Sequence, residues 1–318
     1  MTETGGPEVL VVRDVPVPAP EPGEVLIRVE AVPVLYPEVA LRAGVFPMAA
    51  QPPVVFGFQA AGVVTEIGSD VSEEYLGRRV VVATDGTGSY AEYVSVPAGS
   101  ATAIPDGLST DEAAATLMSG AVALTLLETA RFTGTETVLV EAGATGVGSY
   151  LVQLAKEAGA ARVLATAGGA TKVERARELG ADEVLDHSDP DWIRQARLLL
   201  DPATVDVVFD SIGGTSAHAL LDLMTPDRGR MLTYGWLSGA PAQVTAGDLL
   251  ARGLTLTACA GPAWLARVHR ARSAALARAA TLVPAVETVL PLDRAAHAHE
   301  LVEARAPLGK IILRPGER

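Results

Sequence analysis

Cysteine is almost absent from this chain of 318 residues. The single Cys259 excludes an intrachain disulfide and leaves no set of thiolates for a structural zinc. It lies in the apolar run from Leu254 to Ala260 and reads as a small buried hydrophobe. Positive charge is also scarce, with 25 Lys and Arg against 38 Asp and Glu, a net charge of −13 and a pI near 4.9. Such a surface repels a phosphate backbone or an anionic membrane, so nucleic acid is not an expected partner. No stretch approaches the roughly 18 uncharged apolar residues of a membrane span, and no basic segment leads an apolar one at the N-terminus. The expectation is a protein that neither spans nor binds a membrane and resides in the cytoplasm.

What is present describes an ordinary globular protein, 49 per cent hydrophobic and 20 per cent charged. The length exceeds what one hydrophobic core usually supports, so two domains are expected. Up to Val96 the apolar residues come in short, often alternating runs such as Val25 to Val29, Ala61 to Ile67 and Arg79 to Ala83. Pro and Gly punctuate them at Pro16 to Gly23, Gln51 to Gly57 and Asp85 to Gly88, the cadence of an antiparallel barrel or sandwich with one helix near Pro37 to Arg42. From Ser109-Thr-Asp-Glu112, a capping-box-like start, an alanine-rich helix runs to about Ala130. Beyond it, apolar strands at Val138 to Glu141, Arg162 to Ala165, Val205 to Asp210 and Arg230 to Tyr234 alternate with helices at Gly148 to Ala158, Thr171 to Leu179, Trp192 to Leu199 and Ser216 to Met224. That alternation predicts a parallel sheet covered by helices on both faces. A further alanine-rich helix precedes short strands at Glu287 to Leu290 and Lys310 to Leu313, which are expected to rejoin the first domain.

The strongest chemical signal is Val138-Leu-Val-Glu-Ala-Gly-Ala-Thr-Gly-Val-Gly148, a strand entering a glycine turn that opens a helix. A diphosphate needs backbone that comes close and N–H groups that point at it, and Gly143, Gly146 and Gly148, with Thr145 and Val147 between them, fit that need. The next strand ends Val163-Leu-Ala-Thr-Ala-Gly-Gly169 without the Asp or Glu that grips a ribose 2′-hydroxyl in NAD enzymes, which favours NADPH. Lys172 follows that turn, either as the partner of the 2′-phosphate, with Arg175 or Arg177 beside it, or as a solvated lysine.

The ordered set Gly6-Pro-Glu-Val-Leu10, Pro20-Glu-Pro-Gly-Glu-Val-Leu26, Gly88-Ser-Tyr-Ala-Glu-Tyr93, Ile104-Pro-Asp-Gly-Leu108, Leu154-Ala-Lys156, Arg175-Ala-Arg-Glu-Leu-Gly-Ala-Asp182, Asp210-Ser-Ile-Gly-Gly214 and Gly309-Lys310 resembles the quinone oxidoreductase branch of the zinc-independent medium-chain dehydrogenases. The resemblance covers nearly the whole chain. It implies an α/β protein in which a doubly wound Rossmann domain, residues 118–259, is inserted into a GroES-like β-rich catalytic domain formed by residues 1–117 and 260–318, and a homodimer. By the same resemblance Gly146 and Val147 lie on the diphosphate, Lys172 on the 2′-phosphate, and His187 stands where relatives often carry a tyrosine beside that phosphate. Ser211 and Ile212 line the cofactor groove, and Tyr234, Gly235 and Trp236 pass near the nicotinamide. A surface histidine and a packing tryptophan stay open as alternatives for His187 and Trp236.

Zinc-dependent relatives carry Gly-His-Glu where this chain has Gly57-Phe-Gln59, and all five histidines fall at or after His187. A catalytic zinc, which takes about three protein ligands, is therefore not expected. Other departures gather where nicotinamide and substrate should meet. Leu35 replaces an asparagine, Phe46 replaces a tyrosine, and Val122 aligns with a threonine, so the pocket turns apolar. Tyr36, one position along, is the candidate hydroxyl donor to a substrate carbonyl, with a packing tyrosine as the alternative. The strand that precedes Gly5-Gly-Pro7 in relatives is missing or much shortened.

These residues lead to an NADPH-dependent reductase acting on a quinone or an α,β-unsaturated carbonyl compound, with a flat hydrophobic acceptor such as an aromatic enone or polyketide-like intermediate. The apolar changes motivate an alternative, a non-redox cyclisation or isomerisation on the same fold. A binding protein without turnover is a third reading. Arg267, Arg270, Arg272 and Arg278 read as a solvated helix face, and His297 and His299 as surface histidines.

Overall fold

The computed structural model describes residues 1–46, 51–283 and 286–316. Contacts divide the chain into two units, residues 1–118 with 272–318, and residues 119–271. The first unit holds β1 (Glu24–Pro33), α1 (Tyr36–Arg42), β2 (Gln59–Ile67), β3 (Arg79–Ala83), β4 (Tyr93–Pro97) and β5 (Thr102–Ala103). Helix α2 (Thr110–Ala130) runs across the division. The second unit holds β6 (Thr137–Val140), α3 (Gly146–Ala155), β7 (Arg162–Ala167), α4 (Ala170–Glu178), β8 (Glu183–Asp186), α5 (Trp192–Leu200), β9 (Val207–Asp210), α6 (Gly214–Leu220), β10 (Arg230–Thr233), α7 (Ala246–Arg252) and β11 (Thr255–Ala258). Helix α8 (Pro262–Ala279) crosses back, and β12 (Val286–Pro291), α9 (Ala295–Glu303) and β13 (Lys310–Arg314) complete the first unit.

In the first unit the sheet runs β12-β13-β1-β2-β3-β5, with β4 also on β1. Its pairs are antiparallel except β12 with β13. Val25, Ile27, Val29, Val64, Val80, Val82 and Leu313 form the core beneath it. The late strand β13 pairs with β1, Val32 opposite Leu313, so the C-terminal residues close the first sheet. No regular strand precedes β1 among the described residues. The N-terminus is instead held by Val54, whose N–H donates to Met1 O at 3.1 Å, and by Thr2 N–H on Val9 O at 3.1 Å.

In the second unit six parallel strands run β11-β10-β9-β6-β7-β8. Val138, Leu139 and Val140 are wholly buried, as a strand covered on both faces requires. Leu139, Leu164, Val208 and Met231 from the sheet meet Leu200, Ala217 and Leu220 from the helices in one core. The chain leaves β6 toward β7 on one side and resumes at β9 on the other. The crevice at the carboxyl ends of β6 and β9 is thus the topological switch point, where ligands of such sheets bind.

Two expectations need correction. Helix α2 is long and apolar enough to cross a membrane, contrary to the composition reading, but 72 per cent of its apolar window is buried inside the protein. Its many alanines and leucines make it a core helix, with Ala113, Leu117 and Leu126 fully enclosed. His299, read as a surface histidine, is buried at 0 per cent exposure. Its ring packs against Phe56 and Tyr90, and Nε2 lies 3.0 Å from the Tyr90 hydroxyl. Tyr90 in turn donates to Glu38 Oε2 at 2.9 Å, so the phenol oxygen is left to accept from His299 Nε2–H. Burial holds the His299 pKa down to about 3, with the nearby Arg42 charge acting in the same direction. His297, by contrast, is half exposed and pairs with Glu300.

Candidate functional site

The glycine turn opens α3, and its three glycines serve different ends. A Cβ on Gly143 would stand 2.8 Å from Ala165 Cβ and 3.0 Å from Val152 Cγ2, so this glycine lets the turn nest between β7 and α3. A Cβ on Gly148 would strike the Ala142 carbonyl, so this one lets the helix pass close under the turn. Gly146 alone faces open space, with nothing within 4 Å of an added Cβ, and its φ of +53° is the conformation that favours glycine. Thr145 stands at the N-cap in extended conformation without capping α3. The first-turn N–H groups of Gly146, Val147 and Gly148 lack intrahelical acceptors by the geometry of any helix start. An open, uncapped helix N-terminus at the switch point fits a diphosphate.

The second part of the site lies at the ends of β7 and β8. Lys172 sits half-buried in the first turn of α4, one strand away from the glycine turn. His187 lies beside Gly168, whose added Cβ would come within 3.0 Å of Nε2. His187 Nδ1 is 3.0 Å from Thr166 Oγ1, and that hydroxyl also accepts from the Ala142 N–H at 3.3 Å. Thr166 therefore links the glycine turn to the His187 ring. Burial lowers the His187 pKa and the Lys172 charge adds to this, against the opposing pull of Asp186. No acid ends β7, but Asp186 at the end of β8 takes the Gly169 N–H at 2.9 Å and the Ser188 N–H and hydroxyl. Its carboxylate is committed to that turn, and the two cationic or neutral nitrogen groups nearby are Lys172 and His187. Arg175 and Arg177 pair with Glu178 and Glu174 on their own helix.

The third part is the turn after β9. Asp210 Oδ1 accepts from the N–H of Ile212 and Gly213, at 3.1 and 2.7 Å, and shapes the entry to α6. Ser211 Oγ reaches the Glu141 carbonyl at 3.4 Å. Tyr234, Gly235 and Trp236 lie alongside: Tyr234 N–H donates to Asp210 O, Leu237 N–H to Ser211 O, and an added Cβ on Gly235 would stand 3.0 Å from Ser211 O. Burial raises the Tyr234 pKa, opposed by a hydrogen bond with Ser211. The second unit thus gathers Gly143, Thr145, Gly146, Val147, Gly148, Lys172, His187, Ser211, Ile212, Tyr234, Gly235 and Trp236 at the carboxyl edge of one sheet. Val122, on α2, belongs to the same unit and is half-buried.

Leu35, Tyr36 and Phe46 lie in the first unit. Leu35 is the N-cap of α1, and its N–H donates to Glu38 Oε2 at 2.7 Å. Glu38 is fully buried and also takes the Phe58 N–H at 2.7 Å, so one carboxylate fixes the backbone at both Leu35 and Phe58. Burial nevertheless raises the Glu38 pKa to about 7. The Tyr36 ring lies under the Arg305 guanidinium, 4.5 Å from its centroid. Phe46 packs edge-on against Phe58 at 6.4 Å and joins the cluster of Met1, Val9, Leu41 and Phe56. Gln59, where zinc-dependent relatives have glutamate, is buried on β2 and donates from Nε2 to Ala114 O at 2.5 Å. Among the described residues no three of His, Cys, Asp and Glu come together as a metal site.

Sequence reasoning passed over Glu141, Asp210 and Asp186 as participants. The signal was there. Each closes a short apolar strand, Val-Leu-Val-Glu141, Val-Leu-Asp186 and Val-Val-Phe-Asp210, at the edge where the site lies.

A six-stranded parallel sheet with a glycine turn at its switch point, joined to an antiparallel β unit closed by the C-terminal residues, defines a two-domain dehydrogenase of the alcohol dehydrogenase type. The alcohol dehydrogenase GroES-like domain family matches residues 21–106, and the zinc-binding dehydrogenase family matches residues 146–279. The chain is 33 per cent identical to 2-haloacrylate reductase of a Burkholderia species, over 98 per cent of this chain and 96 per cent of that protein. It is 30 per cent identical to quinone oxidoreductase 1 of Escherichia coli, over 98 and 97 per cent. Among solved structures, Escherichia coli quinone oxidoreductase complexed with NADPH superposes with a TM-score of 0.89 at 29 per cent identity, covering 99 per cent of this chain and 98 per cent of that one. The chain belongs to the zinc-independent medium-chain dehydrogenase/reductase superfamily, in its quinone oxidoreductase branch.

Proposed function

We propose that this chain is an NADPH-dependent reductase of quinones or α,β-unsaturated carbonyl compounds that works without zinc on a small hydrophobic acceptor. The observation that carries the reading is the open, uncapped start of α3 at the switch point, with Gly146 turned to expose its backbone. Bound NADPH supplies the hydride. The backbone N–H groups of Gly146 and Val147 hold the diphosphate, with Gly143, Thr145 and Gly148 shaping the turn. Lys172, aided by His187, recognises the 2′-phosphate as a compact point charge. Ser211, Ile212, Tyr234 and Gly235 line the groove along which the cofactor lies.

For the acceptor, Leu35 in the first unit and Val122 and Trp236 in the second are the assigned apolar contacts, and the Tyr36 hydroxyl is assigned to polarise its carbonyl. The chain's relation to a 2-haloacrylate reductase and to quinone oxidoreductases supports an electron-poor double bond as the target. Replacing Tyr36 by Phe is expected to lower kcat by about tenfold while leaving NADPH affinity intact. An unaltered kcat would return Tyr36 to packing.

The same reading includes a cytoplasmic homodimer. Strand β11 ends the parallel sheet with Thr255, Thr257 and Ala258 exposed, an edge that a second copy would cover. Leu250 and Leu265, on the helices just before and after it, are 84 and 52 per cent exposed. Light scattering should give twice the chain mass, and half that mass for a Thr257→Pro variant.

The direct test is titration with NADPH and NADH by calorimetry, followed by absorbance of the reduced cofactor as quinones and enones are added. NADPH preference with oxidation is the expected result. NADPH binding without oxidation of any acceptor would move the assignment to non-redox cyclisation or isomerisation.

A further inference from the structure

Glu141 and Asp210 lie on neighbouring strand ends at the switch point, and both side chains have no solvent exposure. The strands are in register just before them, Val140 opposite Phe209, and the Glu141 N–H donates to Phe209 O at 3.1 Å. Each carboxyl group has one oxygen provided for. Glu141 Oε1 accepts from Ser216 Oγ at 2.8 Å, and Asp210 Oδ1 takes the two N–H groups of the turn. The other oxygens, Glu141 Oε2 and Asp210 Oδ2, are buried and have no protein donor. The two partnerless oxygens belong to carboxyl groups on strand ends that stand side by side in register. A proton on one of the two carboxyl groups is the donor that would satisfy both oxygens. Tyr234, at the end of β10, is the further titratable group that acts with both carboxyl groups, and burial raises its pKa and keeps it neutral. No cation is among the groups acting on Glu141. Burial, then the neighbouring Asp210 carboxyl group, push the Glu141 pKa upward, while Asp210 Oδ1 is the acceptor for two N–H groups of its own turn.

We infer that Glu141 and Asp210 hold one proton between them, carried by Glu141, and that this proton ties the glycine turn to the Asp210–Ser216 turn and so positions the cofactor groove. The tie is specific in what it joins. Glu141 begins the glycine turn that leads into α3, and its carboxyl group reaches Ser216 in α6. Asp210 begins the turn that carries Ser211 and Ile212. When the shared proton leaves, two fully buried carboxylates face each other, and the two walls of the groove are driven apart. The inference rests on the NADPH reading for its effect on binding, but not for the proton itself. Glu141 and Asp210 are positioning residues here, since neither is placed on the cofactor.

The test uses the whole chain and its Glu141→Gln variant, in which the amide keeps a donor toward Asp210 and an acceptor for Ser216 but carries no titratable proton. Infrared difference spectra of the protein without cofactor should contain a protonated carboxyl C=O band that Glu141→Gln removes. NADPH titrations across pH should show affinity of the wild-type protein falling by about tenfold per pH unit beyond the pair's apparent pKa. The variant should lack that fall. Lys172 and His187 are present in both proteins, so their own titration is common to the two profiles. Absence of a band that the variant removes, or parallel NADPH profiles, would overturn the inference. If neither protein binds NADPH while the band is present, the cofactor reading and the coupling to it both fall, and proton sharing stands. An Asp210→Asn variant gives a second check, because its amide would donate to Glu141 and let that carboxyl ionise, so the same band should vanish.

Discussion

Strand β6 is bracketed by two buried glutamates, Glu136 before it and Glu141 after it, and their surroundings drive them in opposite directions. Glu136 accepts from the N–H groups of Thr133, Gly134 and Thr135 and from the Thr133 hydroxyl, all within 3.2 Å. Burial alone would raise its pKa, but these donors hold it down to about 2. Glu141 meets one hydroxyl and a second carboxyl group, and its pKa rises. The difference lies in the backbone. The turn entering the strand at the amino end points spare N–H groups at Glu136. At the carboxyl end the N–H groups of the β9 turn are taken by Asp210, and those of α3 face the groove. Glu38 in the first unit is a third case, with three donors at closer quarters but complete burial.

The largest effect expected from this comparison is at Glu38. Its replacement by Ala strands the Leu35 and Phe58 N–H groups and the Tyr90 hydroxyl, and should cost about 4 kcal/mol in urea denaturation. A loss below about 1 kcal/mol would mean that donor satisfaction is not what keeps this glutamate buried.

Glu136 should show itself through pH. Its folded pKa of about 2 lies below its ordinary 4.5, so its contribution is complete above 4.5 and is lost as the pH falls toward 2. That amounts to about 3 kcal/mol, and a Glu136→Gln variant should lack this part of the acid destabilisation. Glu38 runs the other way: its pKa of about 7 in the folded protein makes its contribution weaken as the pH rises from 4.5 to 7. Stability curves of Glu136→Gln and Glu38→Gln that deviate from wild type in the same pH interval would refute the contrast.

The glycine turn divides in a similar way. Gly148→Ala should destabilise the fold by about 3 kcal/mol, because its Cβ meets backbone that cannot yield. Gly146→Ala should cost only about 1 kcal/mol, the strain of its positive φ, yet weaken NADPH binding more than stability. Equal melting points for the two variants would show that the turn has no such division. At Lys172, Ala should weaken NADPH by about tenfold relative to NADH. An unchanged ratio of the two affinities would leave recognition of the 2′-phosphate to other groups.

The alternation of short apolar strands with amphipathic helices was enough to read the parallel sheet, and the helix and strand limits near the glycine turn shift by only a few residues between sequence and structure. Strands β8 and β11 were not separately legible. Each is four residues long, and β11 is largely exposed, so neither leaves a buried apolar run. The sequence reading closes the inserted domain at 259, whereas contacts divide the chain at 271/272 inside α8, a place marked by no proline or glycine cluster. Phe46 reads in sequence as a pocket residue, and in the structure it packs within the Phe56 cluster; nothing in Gly44-Val-Phe46 distinguishes the two. Arg272, read as part of a solvated helix face, is half-buried with its guanidinium on Met118 Sδ at 3.7 Å, because α8 turns that face inward there.

The amino-acid sequence by itself determined the two-domain order, the glycine turn and the missing ribose-binding acid, because these depend on residue type and spacing along a local segment. Only the tertiary structure decided which glycine faces open space, that His299 is enclosed by Tyr90 and Phe56, and that Glu141 meets Asp210. Those outcomes depend on strand order. Residues 69 positions apart became neighbours because β9 inserts beside β6, and two carboxyl groups thereby share an enclosure that neither segment specifies alone.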